Sequence, residues 1–186
     1  MNEIRPSSSD AVAPRLHPVE AGSASVDPAL EDQIRLERGG RMLLLYKVLL
    51  NNPPVAFGWL KLFTALRQQT QLPGRLRELV ILRIAALNQA EYEFEAHVPF
   101  AKAEGMSSET IELLHRGELP TELSALELDA LRYTDRMTRQ VVVPQELYEQ
   151  VAKHFDARDM LELTVLIGAY NMVSRVLVAL SIQAEH

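Results

Sequence analysis

The sequence predicts an all-α fold, a compact helical domain of seven or eight helices. Three observations predict it. From residue 28 onward apolar residues recur at three- and four-residue spacing, the period of amphipathic helices. Glycine is scarce, with 8 in 186 residues, which leaves little material for hairpin turns. Hydrophobic residues make up 47% of the chain, enough for a sizeable core in one domain of ordinary length.

The elements follow in order. Four of the ten prolines fall within the first 28 residues, among Ser and Ala, so residues 1–27 read as a poorly ordered tail ahead of one domain over 28–186. Asp27 and Pro28 form an N-cap with Pro at the first helical position, which opens a helix over 29–50. Asn51, Asn52, Pro53 and Pro54 interrupt it, because proline cannot continue a hydrogen-bonded turn. A second helix over 55–69 puts Phe57, Leu60, Phe63 and Leu66 on its apolar side, and Leu72, Pro73 and Gly74 form a turn. The helix over 75–87 contains LVILRIAAL, apolar all round except for Arg83, as expected of a helix surrounded by protein. Asn88 stands three residues before Glu91, a capping-box spacing that starts a helix over 89–104. Helices over 107–116, 124–138, 144–155 and 157–182 complete the domain. The last is apolar over 163–182 but carries Asn171, Ser174 and Arg175 near its middle. A charge in hydrocarbon costs about 3 kcal/mol, so this segment reads as a buried helix and no membrane partner is expected. An echo between Glu78-Leu79-Val80-Ile81-Leu82 and Glu162-Leu163-Thr164-Val165-Leu166 fits a possible internal two-fold helical repeat.

Composition narrows the function. Twenty-five acidic against 19 basic residues give a formal net charge of -6 with no Lys/Arg-rich run, so nucleic acid is not an expected partner. Cysteine is absent, which excludes a disulfide scaffold, thiolate metal sites, a thiol nucleophile and a dithiol redox centre. The N-terminus has no cationic start followed by an apolar stretch, and a cytoplasmic location is the default expectation.

The richest stretch chemically is Glu91-Tyr92-Glu93-Phe94-Glu95-Ala96-His97-Val98-Pro99. Glu93 and His97 lie one helical turn apart, where a carboxylate holds an imidazole in a chosen tautomer, half of an acid-base device. The same residues also suit a hydrogen-bonded boundary histidine and a solvated acidic first turn. Pro99 either kinks this helix beside His97 or begins a new segment. Glu78 is read as standing in the first turn of its helix, where it is either a partner for this pair or a favourable charge near the N-terminus. No metal is expected: a di-iron bundle wants Glu and His three apart, and HExxH is absent. In the last helix Thr164, Gly168, Asn171, Ser174 and Arg175 form a polar stripe, which fits hydrogen bonds to another helix or subunit better than a pocket wall. Histidines 17, 115, 154 and 186 have no partner at telling spacing.

The run LPGRLRELVILRIAALNQAEYEFEAHVPFAKAEGMSSETIELL, together with the tail ELTVLIGAYNMVSRVLVALSI, resembles the carboxymuconolactone decarboxylase family, which includes the alkylhydroperoxidase-D-like proteins. The resemblance implies an alkylhydroperoxidase-D-like helical fold and homo-oligomers. In the peroxidase branch a glutamate, a CxxC pair and a histidine form the centre, and the motif places them at Glu78, Ala90, Glu93 and His97. Both sulfur positions are lost, so thiol peroxidase chemistry is not expected. The decarboxylase branch lacks the dithiol too. The resemblance therefore implies a cofactor-free lyase acting on a small carboxylated lactone or related acid. His97, Glu93 and Glu78 are its catalytic group, with Tyr92, Arg75, Arg77 and Arg175 as substrate-binding residues. A non-catalytic small-molecule-binding or oligomeric interaction protein on the same fold is the alternative.

Overall fold

The computed structural model describes residues 13–183, in which nine helices and no strand occur. They are α1 (Pro28–Glu37), α2 (Leu44–Leu49), α3 (Pro53–Gln68), α4 (Gly74–Leu87), α5 (Glu91–Ala103), α6 (Ser108–His115), α7 (Ala125–Arg139), α8 (Gln145–Ala152) and α9 (Ala157–Ala179). The all-α expectation holds, with a higher helix count among the described residues.

The count rises because the helix expected over 29–50 is two. Asp27 caps α1 as anticipated, its side chain accepting from the Ala29 amide. After Glu37 the chain enters Gly39 and Gly40, both at positive φ, a conformation that glycine reaches without a Cβ penalty and that ends α1 before α2 begins. Pro53 and Pro54 do more than interrupt: they occupy the first turn of α3, where a missing N–H costs nothing. Ala56, Trp59, Leu60, Phe63 and Leu66 turn inward from α3, whereas Phe57, expected on the apolar side, is 46% exposed.

Residues 13–27, expected as part of a loose tail, lie along the body. The Arg15 amide donates to the Leu180 carbonyl at 2.8 Å, the Val19 amide to the Lys47 carbonyl at 2.9 Å, and Val26 is buried. The first twelve residues of that expected tail are outside the described residues.

Helix α4 is the axis of the fold, packed against α5, α6, α7 and α9. Leu79, Val80, Ile81, Leu82 and Ile84 are fully buried along it, each worth about 1.5–3 kcal/mol of transfer free energy. Arg83 is buried among them and fully engaged. It donates to both Asp135 carboxylate oxygens at 2.7 Å and to the Gly117 and Glu118 carbonyls. A buried guanidinium is tolerable only with such a complete set of acceptors.

Between α4 and α5 the capping-box expectation fails. Asn88 is the C-cap of α4, Gln89 sits at φ 55°, and the Ala90 amide returns to the Ala85 carbonyl at 2.9 Å while the Gln89 amide bonds to Ala86. This is a Schellman closure of the helix behind, and it outcompetes a cap on the helix ahead. The Asn88 side chain reaches Asn171 of α9 instead, at 3.0 Å. Pro99 lies inside an uninterrupted α5, so it does not begin a new segment.

In α9 the polar stripe makes helix-to-helix bonds as expected. Thr164 pairs with Tyr133 of α7, Asn171 donates to Thr138 of α7, and Ser174 meets Glu93 of α5. Among the described residues α9 alone is long and apolar enough by composition to cross a bilayer; it is half buried against α4, α5 and α7.

Candidate active site

His97 is carried on α5 so that its ring meets both the core and a hollow. Its Nδ1 is 2.7 Å from Oε2 of Glu78 on α4, and its ring packs edge-on against Tyr170 of α9 with centroids 5.3 Å apart. Glu78 is buried, and its other oxygen accepts from Arg77 Nε at 3.4 Å. With Nδ1 donating to Glu78, Nε2 is the ring nitrogen left for a guest molecule. It accepts a proton in the neutral ring and donates one in the charged ring. Glu78 is the fifth residue of α4, beyond the first turn in which it was expected, so a helix-terminus role does not explain it.

Glu93 does not pair with His97, although the two stand one turn apart. Its carboxyl is aimed at Ser174 of α9, whose hydroxyl lies within hydrogen-bond reach of both Glu93 Oε2 and the Tyr170 carbonyl, the latter at 3.1 Å. Burial pushes the Glu93 carboxyl up to about 8, against the lowering effect of the Ser174 contact. Near pH 7 the protonated, neutral acid is therefore its main form. A serine hydroxyl has one proton to give. When it goes to the Tyr170 carbonyl, protonated Glu93 donates to Ser174 Oγ, leaving Glu93 Oε1 as a buried acceptor with no partner among the described residues. Burial also raises the Tyr170 and Tyr46 phenols, which stay protonated.

These groups border a cavity of about 880 Å³ between the end of α1, α2, α3, α5 and α9. His97, Glu93 and Tyr92 line it, and Glu78 stands behind His97 without lining it. The three expected catalytic side chains thus converge on one region, with His97 the member in contact with both Glu78 and the hollow. Trp59, Phe63, Phe100 and Tyr170 make the lining aromatic. The Trp59 and Phe63 rings lie 4.9 Å apart at a tilt of 33°, and Phe63 meets Tyr170 edge-on at 5.5 Å.

The arginines expected to bind substrate are elsewhere. Arg75 is paired with Glu127 at 2.8 Å and with the Gly105 carbonyl. Arg175 bonds to Asn171 and borders a shallow depression on α9 with Gly168 and Met172. Arg77 does not line the cavity and contacts Glu78 behind His97. The cations that line the cavity are Arg38, Arg41 and Arg67. Arg38 is held by the Tyr46 hydroxyl at 2.7 and 3.0 Å and by Thr64 at 3.2 Å. Sequence reasoning missed Arg67, although Trp59, Phe63 and Arg67 recur at intervals of four, one face of α3. No three metal-type ligands converge among the described residues. Two histidines with no partner at telling spacing find one across the fold: His115 reaches Glu91 at 3.0 Å and His154 reaches Asp129 at 3.0 Å. Residue 186 is outside the described residues.

Comparison with known proteins bears directly on this geometry. Residues 53–136 match the Carboxymuconolactone decarboxylase family. The matched segment runs from α3 to α7 and contains Glu78, Glu93 and His97, the positions that the sequence motif implied, and Arg67, which it did not. A relative, the uncharacterized protein YdfG of Bacillus subtilis strain 168, is 26% identical over 119 residues, covering 63% of this chain and 81% of its own. The fold matches a protein of unknown function from Agrobacterium tumefaciens that is provisionally assigned to AhpD-type antioxidant defence. That match has 22% identity and TM-score 0.67, covering 73% of this chain and 94% of the other. It also matches the debrominase Bmp8, solved as a cysteine-to-alanine variant in complex with 2,3,4-tribromopyrrole. Here identity is 17% and TM-score 0.78, covering 95% of this chain and 94% of that one. At these identities the two structures establish an AhpD-like helical fold and nothing finer.

Proposed function

We propose that this chain is a cofactor-free acid-base enzyme of the decarboxylase type, a lyase acting on a small carboxylated lactone or related unsaturated acid. The observation that carries the reading is His97, tied at 2.7 Å to buried Glu78 through Nδ1 while lining an aromatic cavity. Loss of carbon dioxide from a carboxylated unsaturated lactone leaves negative charge delocalised into the ring carbonyl, and a ring carbon must then be protonated. His97 Nε2 is the proton donor, and Glu78 fixes the ring orientation and balances its charge. Neutral Glu93 and Tyr92 supply hydrogen-bonding groups on the same wall. With no cysteine in the chain, a thiolate cannot attack a peroxide here.

Release of carbon dioxide from a panel of carboxylated lactones tests the reading. His97→Ala is expected to lose about 10²–10⁴ in rate, the contribution of one placed acid, with the helical circular dichroism signal unchanged. Turnover that survives His97→Ala overturns it. The rival reading, a non-catalytic binding protein, draws on the aromatic lining of Trp59, Phe63, Phe100 and Tyr170. Thermal stabilisation by ring acids without turnover of any of them would favour that rival.

A further inference from the structure

Arg67 stands in the last turn of α3. Its guanidinium carbon is 5.2 Å from the centre of the Phe100 ring, and the His97 ring is 5.8 Å from the same centre. Arg67 and His97 therefore flank one aromatic side chain in one cavity. Arginines elsewhere are engaged: Arg38 with Tyr46, Arg75 with Glu127, Arg83 with Asp135. Arg67 makes no hydrogen bond or ion pair to a protein acceptor among the described residues. The charge around it is also unusual for this molecule. The chain carries a net -6, yet the lining holds Arg38, Arg41 and Arg67 against Glu37 and Glu95 once Glu93 is neutral. Glu37 is occupied by Thr64, Gln33 and Lys61. A cationic hollow with apolar walls concentrates small anions.

We propose that Arg67 receives the negative charge that develops on the carbonyl oxygen of a planar lactone in this cavity, a substrate contact that rests on the reading of His97 as proton donor. A guanidinium bound to the departing carboxylate would stabilise the ground state and slow its loss. On the ring carbonyl it meets charge only as that charge forms, which is the condition for acceleration. The step balances without oxidant or reductant. The bond from ring carbon to carboxylate breaks, and its electron pair moves through the ring onto the carbonyl oxygen beside Arg67. Carbon dioxide leaves, the His97 Nε2 proton closes the carbon as the pair returns, and solvent restores the proton to His97. The Phe100 face under the guanidinium limits its orientations, as stacking does for arginine generally.

Tetronate tests this, being a five-membered lactone that is an enolate anion at neutral pH. Uncharged 2(5H)-furanone has the same ring. Trp59 is the single tryptophan and lines the cavity, so its emission, together with calorimetry, reports binding to the full chain. Tetronate is expected to bind about tenfold or more tightly than the furanone, and Arg67→Gln to lose about ten- to hundredfold of that affinity while leaving the furanone unchanged. Arg67→Lys should recover part of the loss, and Arg41→Gln, which removes an exposed cation of the same lining, should lose clearly less than Arg67→Gln. His97→Ala should keep tetronate binding. Tetronate binding that depends on Arg67, with no carbon dioxide from any lactone, would sustain the anion site and remove the lyase. The inference is overturned if tetronate fails to bind at millimolar concentration, if tetronate and furanone bind alike, if Arg67→Gln binds as wild type, or if Arg41→Gln loses as much as Arg67→Gln.

Discussion

Two carboxylate-histidine pairs, built from similar groups, occupy different parts of this molecule. Glu78 and His97 meet at 2.7 Å with side chains 5% and 12% exposed, and the histidine's second nitrogen is left to a cavity. Asp129 and His154 meet at 3.0 Å where α7 packs on α8 and the residues just after it, and Asp129 there also accepts from Gln150 at 2.7 Å and pairs with Arg132 at 3.5 Å. The second carboxylate is a junction holding three side chains to one helix. The first has a histidine, one weaker arginine contact and empty space beyond. A carboxylate beside a histidine is thus not by itself a site; what differs is whether the imidazole has somewhere to send its proton.

Paired substitutions break that comparison most strongly through activity. His97→Ala should lose about 10²–10⁴ of lyase rate, whereas His154→Ala should leave the rate unchanged and lower stability by about 1 kcal/mol, the net worth of one hydrogen bond. Steady-state kinetics and urea unfolding of both variants check this; equal losses of rate would erase the distinction between the pairs.

The next effect separates Glu93 from both pairs, because its buried carboxyl meets a serine in place of a histidine. Its folded value of about 8 lies above the ordinary 4.5, so the folded state holds a proton that the unfolded state releases as pH rises. Stability from this group is fully present below about 4.5 and falls as pH rises toward 8, then levels off. Glu93→Gln keeps the contact with Ser174 and has no proton to lose. It should remove this decline and raise stability at pH 8 by a few kcal/mol, on the order expected for such a shift. Urea midpoints between pH 5 and pH 8 on the two proteins give the measurement, and parallel curves would show that Glu93 is not held neutral.

The Asp129 junction yields a smaller change. Asp129→Ala leaves Gln150, His154 and Arg132 without their shared acceptor and should cost about 1–3 kcal/mol, read as a drop in melting temperature with lyase rate preserved.

Much of this was legible in the sequence, for identifiable reasons. Helical periodicity located the segments because each buries one stripe, and LVILRIAAL announced the central helix because its first seven residues are all buried. Local rules failed where two of them competed. Asn88 satisfies the start signal of α5 and the end signal of α4, and only the tertiary path, which sends its side chain to Asn171, decides between them. Glu93 and His97 are neighbours by spacing, yet Ser174, 81 positions from Glu93, claims the carboxyl. The true partner of His97 came from the family pattern, since Glu78 and His97 lie 19 positions apart on different helices. Arg67 escaped because Trp59 and Phe63 on its face read as ordinary core.

The smallest effect lies at the join between the two helices that carry Glu78 and His97. Gln89 holds φ at 55°, a left-handed conformation that costs a residue with a Cβ about 1 kcal/mol and that glycine adopts freely. Glycine there removes the strain, but it also widens the unfolded ensemble, which takes back part of the gain. Gln89→Gly should therefore stabilise by about 0.5 kcal/mol, less than the full strain. If its lyase rate is unchanged, the turn merely closes α4. If the rate falls while stability rises, the strained turn sets the register between α4 and α5 that brings Glu78 Oε2 to His97 Nδ1, and no substitution at Asp129 or His154 would reproduce that pattern.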